Sequence, residues 1–219
     1  AAIGTMTAGL SHEIRNPLSS VALNIELLGD DVPHLPADRQ REVKAILDAV
    51  GKEVERLTQI TEGYLRFARL PAPKKVAADV GDLLADLVAF SQGDAAKAGV
   101  MLELQLEPGL PAVPHDPARL RQAVLNLLRN AVEAAGRGGT VRIGAKATAK
   151  GARVTVEDTG PGVPDDVRDR LFQPFFTTKP QGTGLGLMLA REIVLEHHGN
   201  LSVDASQLGG AAFAIDLPS

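Results

Sequence analysis

The sequence predicts an α+β chain in two parts: a helical hairpin that pairs with a second copy as a dimeric four-helix bundle, followed by a two-layer α/β sandwich. Three observations predict it. Over residues 1–70 apolar side chains recur every three or four positions, the prolines of Leu70-Pro71-Ala72-Pro73-Lys74-Lys75 stop that rhythm, and beyond them helical stretches alternate with short strand-like runs. The helical domain is therefore placed at residues 1–70, a linker at 71–78 and the sandwich at 79–219.

At 219 residues and 44% apolar content the chain is long enough to bury a core. Its net charge of −4, with Lys and Arg interspersed among acids, leaves no basic footprint, so no nucleic-acid partner is expected. The absence of cysteine excludes disulfides and thiolate metal sites, in keeping with a cytoplasmic, reducing setting. No apolar run approaches the ~18 residues that would span a bilayer, so no membrane contact is expected within this stretch. The helical pattern is already running at Ile3 and Met6, and the natural protein is expected to continue upstream.

Residues 3–29 read as the first helix, with Leu10, Ile14, Leu18, Val21, Ile25 and Leu28 on one stripe and breakers from Gly29 to Pro36 ending it. Pro17 lies inside. Lacking an N–H, it leaves the Glu13 carbonyl without its helical donor, and a bend there would be either a passive kink or a means of moving the residues before it. From Asp38 to Arg69 a second helix carries Val43, Leu47, Val50, Val54, Leu57, Thr61, Tyr64 and Ala68 at alternating four and three spacing, a heptad seam. A rod over ~40 Å long is too one-sided for a single partner helix to bury, so two hairpins are expected to pair as a homodimer.

In the second part, Asp79 to about Ala98 reads as a helix, Val100–Leu106 as a strand and Pro117–Ala135 as a helix. Residues Thr140–Ala147 and Ala152–Glu157 alternate as strands, and an irregular glycine-rich region follows. Leu185–His197 reads as helical, with Asn200–Ala205 and Ala211–Leu217 completing a mostly antiparallel sheet.

His12 lies off the apolar stripe of the first helix and is expected to face solvent, with Asn16 one turn on and Glu13 and Arg15 to either side. An imidazole of pKa near ~6.5 is largely neutral near pH 7, and only the neutral ring has a lone pair for attack on phosphorus. Taken alone, the same pattern also describes a solvated helix histidine. In the sandwich, Asn126, Asn130 and Glu133 share a helix face, which suits either a hydrated Mg²⁺ with phosphate oxygens or plain solvation. Asp158-Thr159-Gly160-Pro161-Gly162 follows a strand; it is either a tight turn or a carboxylate placed to accept from an adenine amino group. Gly182-Thr183-Gly184-Leu185-Gly186 opens a helix, and its N–H groups suit an anion, although a loop-to-helix turn explains it about as well.

Read together these stretches resemble one family. Ser-His-Glu-Ile-Arg-Asn-Pro-Leu around His12 is similar to the phosphoacceptor box of bacterial sensor histidine kinases. Asn-Leu-Leu-Arg-Asn-Ala-Val-Glu-Ala, Asp-Thr-Gly-Pro-Gly-Val-Pro, Leu-Phe-Gln-Pro-Phe-Phe-Thr-Thr-Lys and Gly-Thr-Gly-Leu-Gly-Leu follow in the order of the N, G1, F and G2 boxes of their ATP domains. The resemblance implies an ATP-dependent histidine autokinase that phosphorylates His12, with Glu13 assisting, and passes the group to an aspartate of a response regulator. It implies ATP and Mg²⁺ as cofactors, with Asn126 and Asn130 holding the metal and phosphates, Asp158 reading adenine, and Gly160 and Gly162 shaping the pocket. Thr177–Thr183 would be a short lid with Lys179 near the phosphates, Phe175 and Phe176 anchoring its base, and Gly182, Thr183, Gly184, Leu185 and Gly186 lining the nucleotide. Asn16 would serve a regulator phosphatase activity.

The same ATP fold occurs in topoisomerases, Hsp90-type chaperones and mismatch-repair ATPases, which usually carry a glutamate general base four residues before the Mg-binding asparagine. Asn126 stands there and cannot take a proton, which favours transfer to His12 over hydrolysis. A dimeric scaffold with a dead kinase domain is the other alternative, and against it every box has its expected polar residue.

Overall fold

A computed structural model describes the backbone of residues 2–68, 72–179 and 184–219; the side chains of residues 2–16, 37–38, 56 and 59–68 lie outside the description. Two compact units divide the chain, one built on residues 1–71 with 177–185 and one on 72–176 with 186–219.

The first unit is an antiparallel pair of long helices, α1 (Ala2–Asp31) and α2 (Ala37–Ala68). α1 continues through Pro17 and through Gly29, so the turn is tighter than the run of breakers predicts. It is a single 3₁₀ turn, Val32–His34, pinned by the buried Val32 and by the Gln40 amide, whose Nε2 donates to the carbonyls of Pro33 at 3.2 Å and Leu35 at 2.9 Å. These bonds satisfy carbonyls that the end of a helix leaves without partners.

The second unit stacks three helices on one face of a five-stranded sheet. In chain order it runs β1 (Val76–Ala78), α3 (Val80–Ala98), β2 (Met101–Leu106), β3 (Val113–His115), α4 (Pro117–Ala135), β4 (Thr140–Thr148), β5 (Gly151–Asp158), α5 (Asp165–Arg168), α6 (Gly186–Glu196), β6 (Asn200–Ala205) and β7 (Ala211–Pro218). The sheet order is β2-β4-β5-β7-β6, parallel between β2 and β4 and antiparallel elsewhere, while β1 and β3 form a separate two-stranded ribbon. Val76–Ala78, within the stretch read as linker, is thus a strand paired to Val113–His115.

Alternation decides which face is covered. Along β5, Ala152, Val154, Val156 and Asp158 are buried and Arg153, Thr155 and Glu157 are half-exposed, the period-2 signature of a sheet with one solvated side. Leu84 and Leu87 of α3, Leu120, Leu127 and Leu128 of α4 and Ile193 of α6 meet that inner face as one core. The outer face carries cross-strand ion pairs instead, Arg142 with Glu103 and Glu157, and Arg153 bidentate to Asp216 at 2.6 and 2.8 Å.

Caps place the helix ends. Asp79 accepts from Gly81 N–H at 2.7 Å to start α3, and Gly99 ends it with φ 73°, a left-handed conformation natural to glycine. Asp116 precedes Pro117, its Oδ1 accepting from the N–H groups of Ala118 and Arg119, the arrangement expected where proline occupies the first helical position.

Candidate functional site

Asp158 ends β5 on the buried side of the sheet and is only 1% exposed. Its Oδ1 accepts from the backbone N–H of Gly160 at 2.8 Å and of Ala211 at 3.2 Å, and its carbonyl accepts from Gly210 N–H at 3.1 Å. A buried carboxylate is tolerated when such donors surround it. The turn after it is held by Thr159, which exchanges bonds with Thr140 through its own N–H and its hydroxyl.

Gly160 packs against the last turn of α4: a Cβ there would sit 2.7 Å from the Ala134 carbonyl oxygen. Gly162 has φ 76° and faces Gly210. Gly210 is the residue the sequence reading missed. A Cβ on it would lie 2.2 Å from Asp158 Oδ1 and 2.6 Å from Gly160 N, so only glycine lets β7 begin beside the carboxylate. The available signal was the Gly209-Gly210 pair directly ahead of the last strand.

On α4, Asn126 donates through Nδ2 to the carbonyl of Gly186 at 3.2 Å, which brings the first turn of α6 against the predicted polar face. Asn130 follows half-buried and Glu133 exposed. From Asn126, beside Gly186, to Ala134, beside Gly160, is eight residues or about 12 Å along the helix. Gly186 and Gly160, far apart in the sequence, thus both lie against α4.

Phe176 lies against Arg170, whose guanidinium carbon is 4.6 Å from the ring centroid, and Arg191 of α6 lies over Phe172 at 5.5 Å. Phe175 is instead 52% exposed with φ 65°. Thr177 and Lys179 close a local turn, the Lys179 N–H donating to the Thr177 hydroxyl at 3.1 Å. Gly184 has φ 67°, and Leu185 leads into α6. Gly182 and Thr183 lie outside the described residues. His12, Glu13 and Asn16 fall on α1, and their side chains lie outside the description as well.

At the other end of α4 and α6 lies a cluster that the sequence reading did not single out. His197, 1% exposed, accepts from the Asp116 N–H through Nε2 at 2.9 Å, and its Nδ1 donates to the Ile193 carbonyl at 2.6 Å. Burial is the largest influence on this ring and pushes its pKa below the ordinary value, outweighing the Ile193 bond. Asp116 is held below the usual carboxylate range: partial burial works to raise it, and the N–H groups of Lys74, Arg119 and Ala118, with the Arg119 charge, outweigh that. Arg119, nearly buried, pairs with Glu196. Among the described residues no group of three or more His, Cys, Asp or Glu side chains is placed to hold a metal ion.

Two family models match: His Kinase A (phospho-acceptor) domain over residues 2–73, and Histidine kinase-, DNA gyrase B-, and HSP90-like ATPase over residues 115–219. The chain belongs to the sensor histidine kinases. It is 32% identical over 217 residues to the sensor histidine kinase ZraS of Escherichia coli K12, an alignment covering 99% of this chain and 46% of ZraS. Among solved structures, full-length ShkA in complex with AMPPNP matches with TM-score 0.71 and 31% identity, over 98% of this chain and 46% of that one. The histidine kinase ThkA in complex with the response regulator TrrA matches with TM-score 0.69 and 26% identity, over 99% of this chain and 61% of that one. The chain thus spans about half the length of ZraS.

Proposed function

We propose that this chain is the catalytic core of a dimeric ATP-dependent histidine autokinase that phosphorylates His12 and serves a response regulator. The observation that carries this is the co-occurrence, in one chain, of the His12 box on α1 and the Asp158–Gly160–Gly210 turn packed under α4. Because Asp158 Oδ1 is taken by two backbone N–H groups, its second oxygen is the one to accept from an adenine amino group. Asn126 and Asn130 offer amide oxygens one turn apart, a chemistry that fits a hard cation such as Mg²⁺. When bound, that cation supplies charge neutralisation at the phosphates. Lys179 and the turn at Gly182, Thr183, Gly184, Leu185 and Gly186 would complete the nucleotide contacts.

In the transfer, a neutral imidazole nitrogen of His12 forms a bond to the γ-phosphorus as the bond to the bridging oxygen of ADP breaks. Glu13 would hold the remaining ring proton. The phosphoryl group would then pass to an aspartate carboxylate of a receiver domain, a reading supported by the ThkA–TrrA complex, as the AMPPNP bound by ShkA supports ATP. Hydrolysis to water is disfavoured, because Asn126 stands where a general base would be needed and spends its Nδ2 on Gly186. Exposed Leu23, Leu27 and Ile46 support a second copy against the hairpin. No described helix is long and apolar enough to cross a membrane.

Incubation with γ-labelled ATP tests the proposal. Acid-labile, alkali-stable label on His12 is expected, and release of inorganic phosphate without protein label would overturn it.

A further inference from the structure

α6 runs antiparallel to the N-terminal half of α4 and is tied to it at both its own ends. At one end Asn126 Nδ2 donates to the Gly186 carbonyl, and at the other Asp116 N–H donates to His197 Nε2 while Arg119 pairs with Glu196. Asp116 and Asn126 are ten positions apart and Gly186 and His197 eleven, about 15 and about 16.5 Å at the helical rise. Because the spans between the ties match to within one residue, α6 cannot slide along α4 without breaking a tie at each of its ends. Gly186 belongs to the turn assigned above to nucleotide, so its position along Asn126 depends on the far tie. We infer that His197 and Asp116 are positioning residues for nucleotide binding, setting from the distal end of α6 where Gly186 stands against Asn126; the inference rests on the nucleotide site proposed above.

The tie has a definite protonation requirement. His197 Nδ1 donates to the Ile193 carbonyl, so Nε2 can accept the Asp116 N–H only while the ring is neutral. A proton on Nε2 would place two donors face to face inside a buried site. The titratable and charged groups around the ring are Asp116 at the start of α4, His115 at the end of β3 and Lys75 ahead of β1, with the Arg119–Glu196 pair bridging the same two helices. The lowering of the His197 pKa by burial, with Lys75 and His115 adding to it, points the same way. Asp116 also takes the Lys74 N–H on Oδ2 at 2.9 Å, so the chain entering this unit is fastened to the same cap.

By reciprocity, if the neutral ring favours the nucleotide-competent register, bound nucleotide must favour the neutral ring. The test follows the His197 ring by NMR from pH 8 to 5 in the whole chain, free and saturated with AMPPNP and Mg²⁺. A lower His197 pKa in the saturated protein is expected. Alongside it, AMPPNP affinity between pH 7.5 and 5.5 should fall about threefold or more further in wild type than in His197→Gln, which keeps an acceptor but cannot titrate. Protonation of the nucleotide itself is common to both proteins and cancels. A ring that titrates identically with and without nucleotide, or stays neutral to pH 5 in both states, overturns the inference. That wild-type measurement decides the matter even if the variant fails to fold. No AMPPNP binding at pH 7.5 would overturn the nucleotide site and this inference with it, whereas binding without a pKa change overturns the inference alone.

Discussion

Gly210 and Asp158 meet so closely that the carboxylate fills the space where a side chain at 210 would begin, 2.2 Å from the ideal Cβ position. The neighbouring atoms at 2.5 and 2.6 Å are the Asp158 carbonyl oxygen and Gly160 N, all part of one turn, so relief at one forces movement of the others. Gly210→Ala should therefore displace Asp158 and lower ATP affinity by about tenfold or more, the equivalent of one lost hydrogen bond of about 1.4 kcal/mol. Calorimetric titration with AMPPNP checks it, and wild-type affinity in a folded variant would remove Asp158 from the site.

Replacing the acceptor should separate binding from transfer. His12→Gln is expected to abolish acid-labile label while AMPPNP affinity stays within about twofold, since the ring plays no part in holding nucleotide. Label surviving on this variant would mean another acceptor.

Asn16 is expected to act on the regulator instead. An amide one turn after His12 can both donate to and accept from a water in line with an aspartyl phosphate. Asn16→Ala should keep most His12 labelling and slow decay of the phosphorylated regulator several-fold, as for a lost hydrogen bond of about 1 kcal/mol. Unchanged decay rates would leave Asn16 a solvated helix residue.

Assembly rests on apolar side chains that the hairpin leaves exposed, Val21 and Leu28 on the predicted stripe and others off it. Leu27 is 56% exposed in the single chain, with Leu23 and Ile46 exposed to a similar degree. Burying them against a second copy predicts a dimer by light scattering, and Leu27→Glu should shift the mass toward one chain because a buried, unpaired carboxylate is strongly disfavoured. A wild-type chain that runs as a monomer contradicts the bundle.

The depressed pKa of His197 has a stability counterpart. Its unfolded form takes a proton near pH 6.5 while the folded form resists it, so its contribution is complete above that pH and is lost as pH falls from there toward the folded pKa. Asp116, lowered from the usual carboxylate range, loses its contribution only at pH values below that window. Denaturant unfolding should show up to about 1.4 kcal/mol lost per pH unit below 6.5, with His197→Gln flattening the slope. Identical slopes in the two proteins would show that the ring is not the titrating group.

Much of the architecture was readable before any contact was known. The heptad positions of the hairpin and the apolar periodicity of the stretches near 79–98 and 117–135 mark helices through local rules, because a helix satisfies its hydrogen bonds within its own turns. Strands β1 and β3, with three residues each, and the single turn α5 are too short to show any period, and their existence depends on partners elsewhere in the chain.

At the site the division follows the same line. The sequence alone determined which residue types occur at helical spacing: the polar face of Asn126, Asn130 and Glu133, the Asp158 turn, and His12 off the apolar stripe. Only the tertiary structure decided that Asn126 reaches the Gly186 carbonyl sixty residues away, that Gly210 must be glycine because Asp158 occupies its side-chain space, and that His197 closes on Asp116. Spacing along the chain reports a periodicity, whereas a contact across 52 to 81 residues is set by how the sheet and helices pack, and no local pattern carries it.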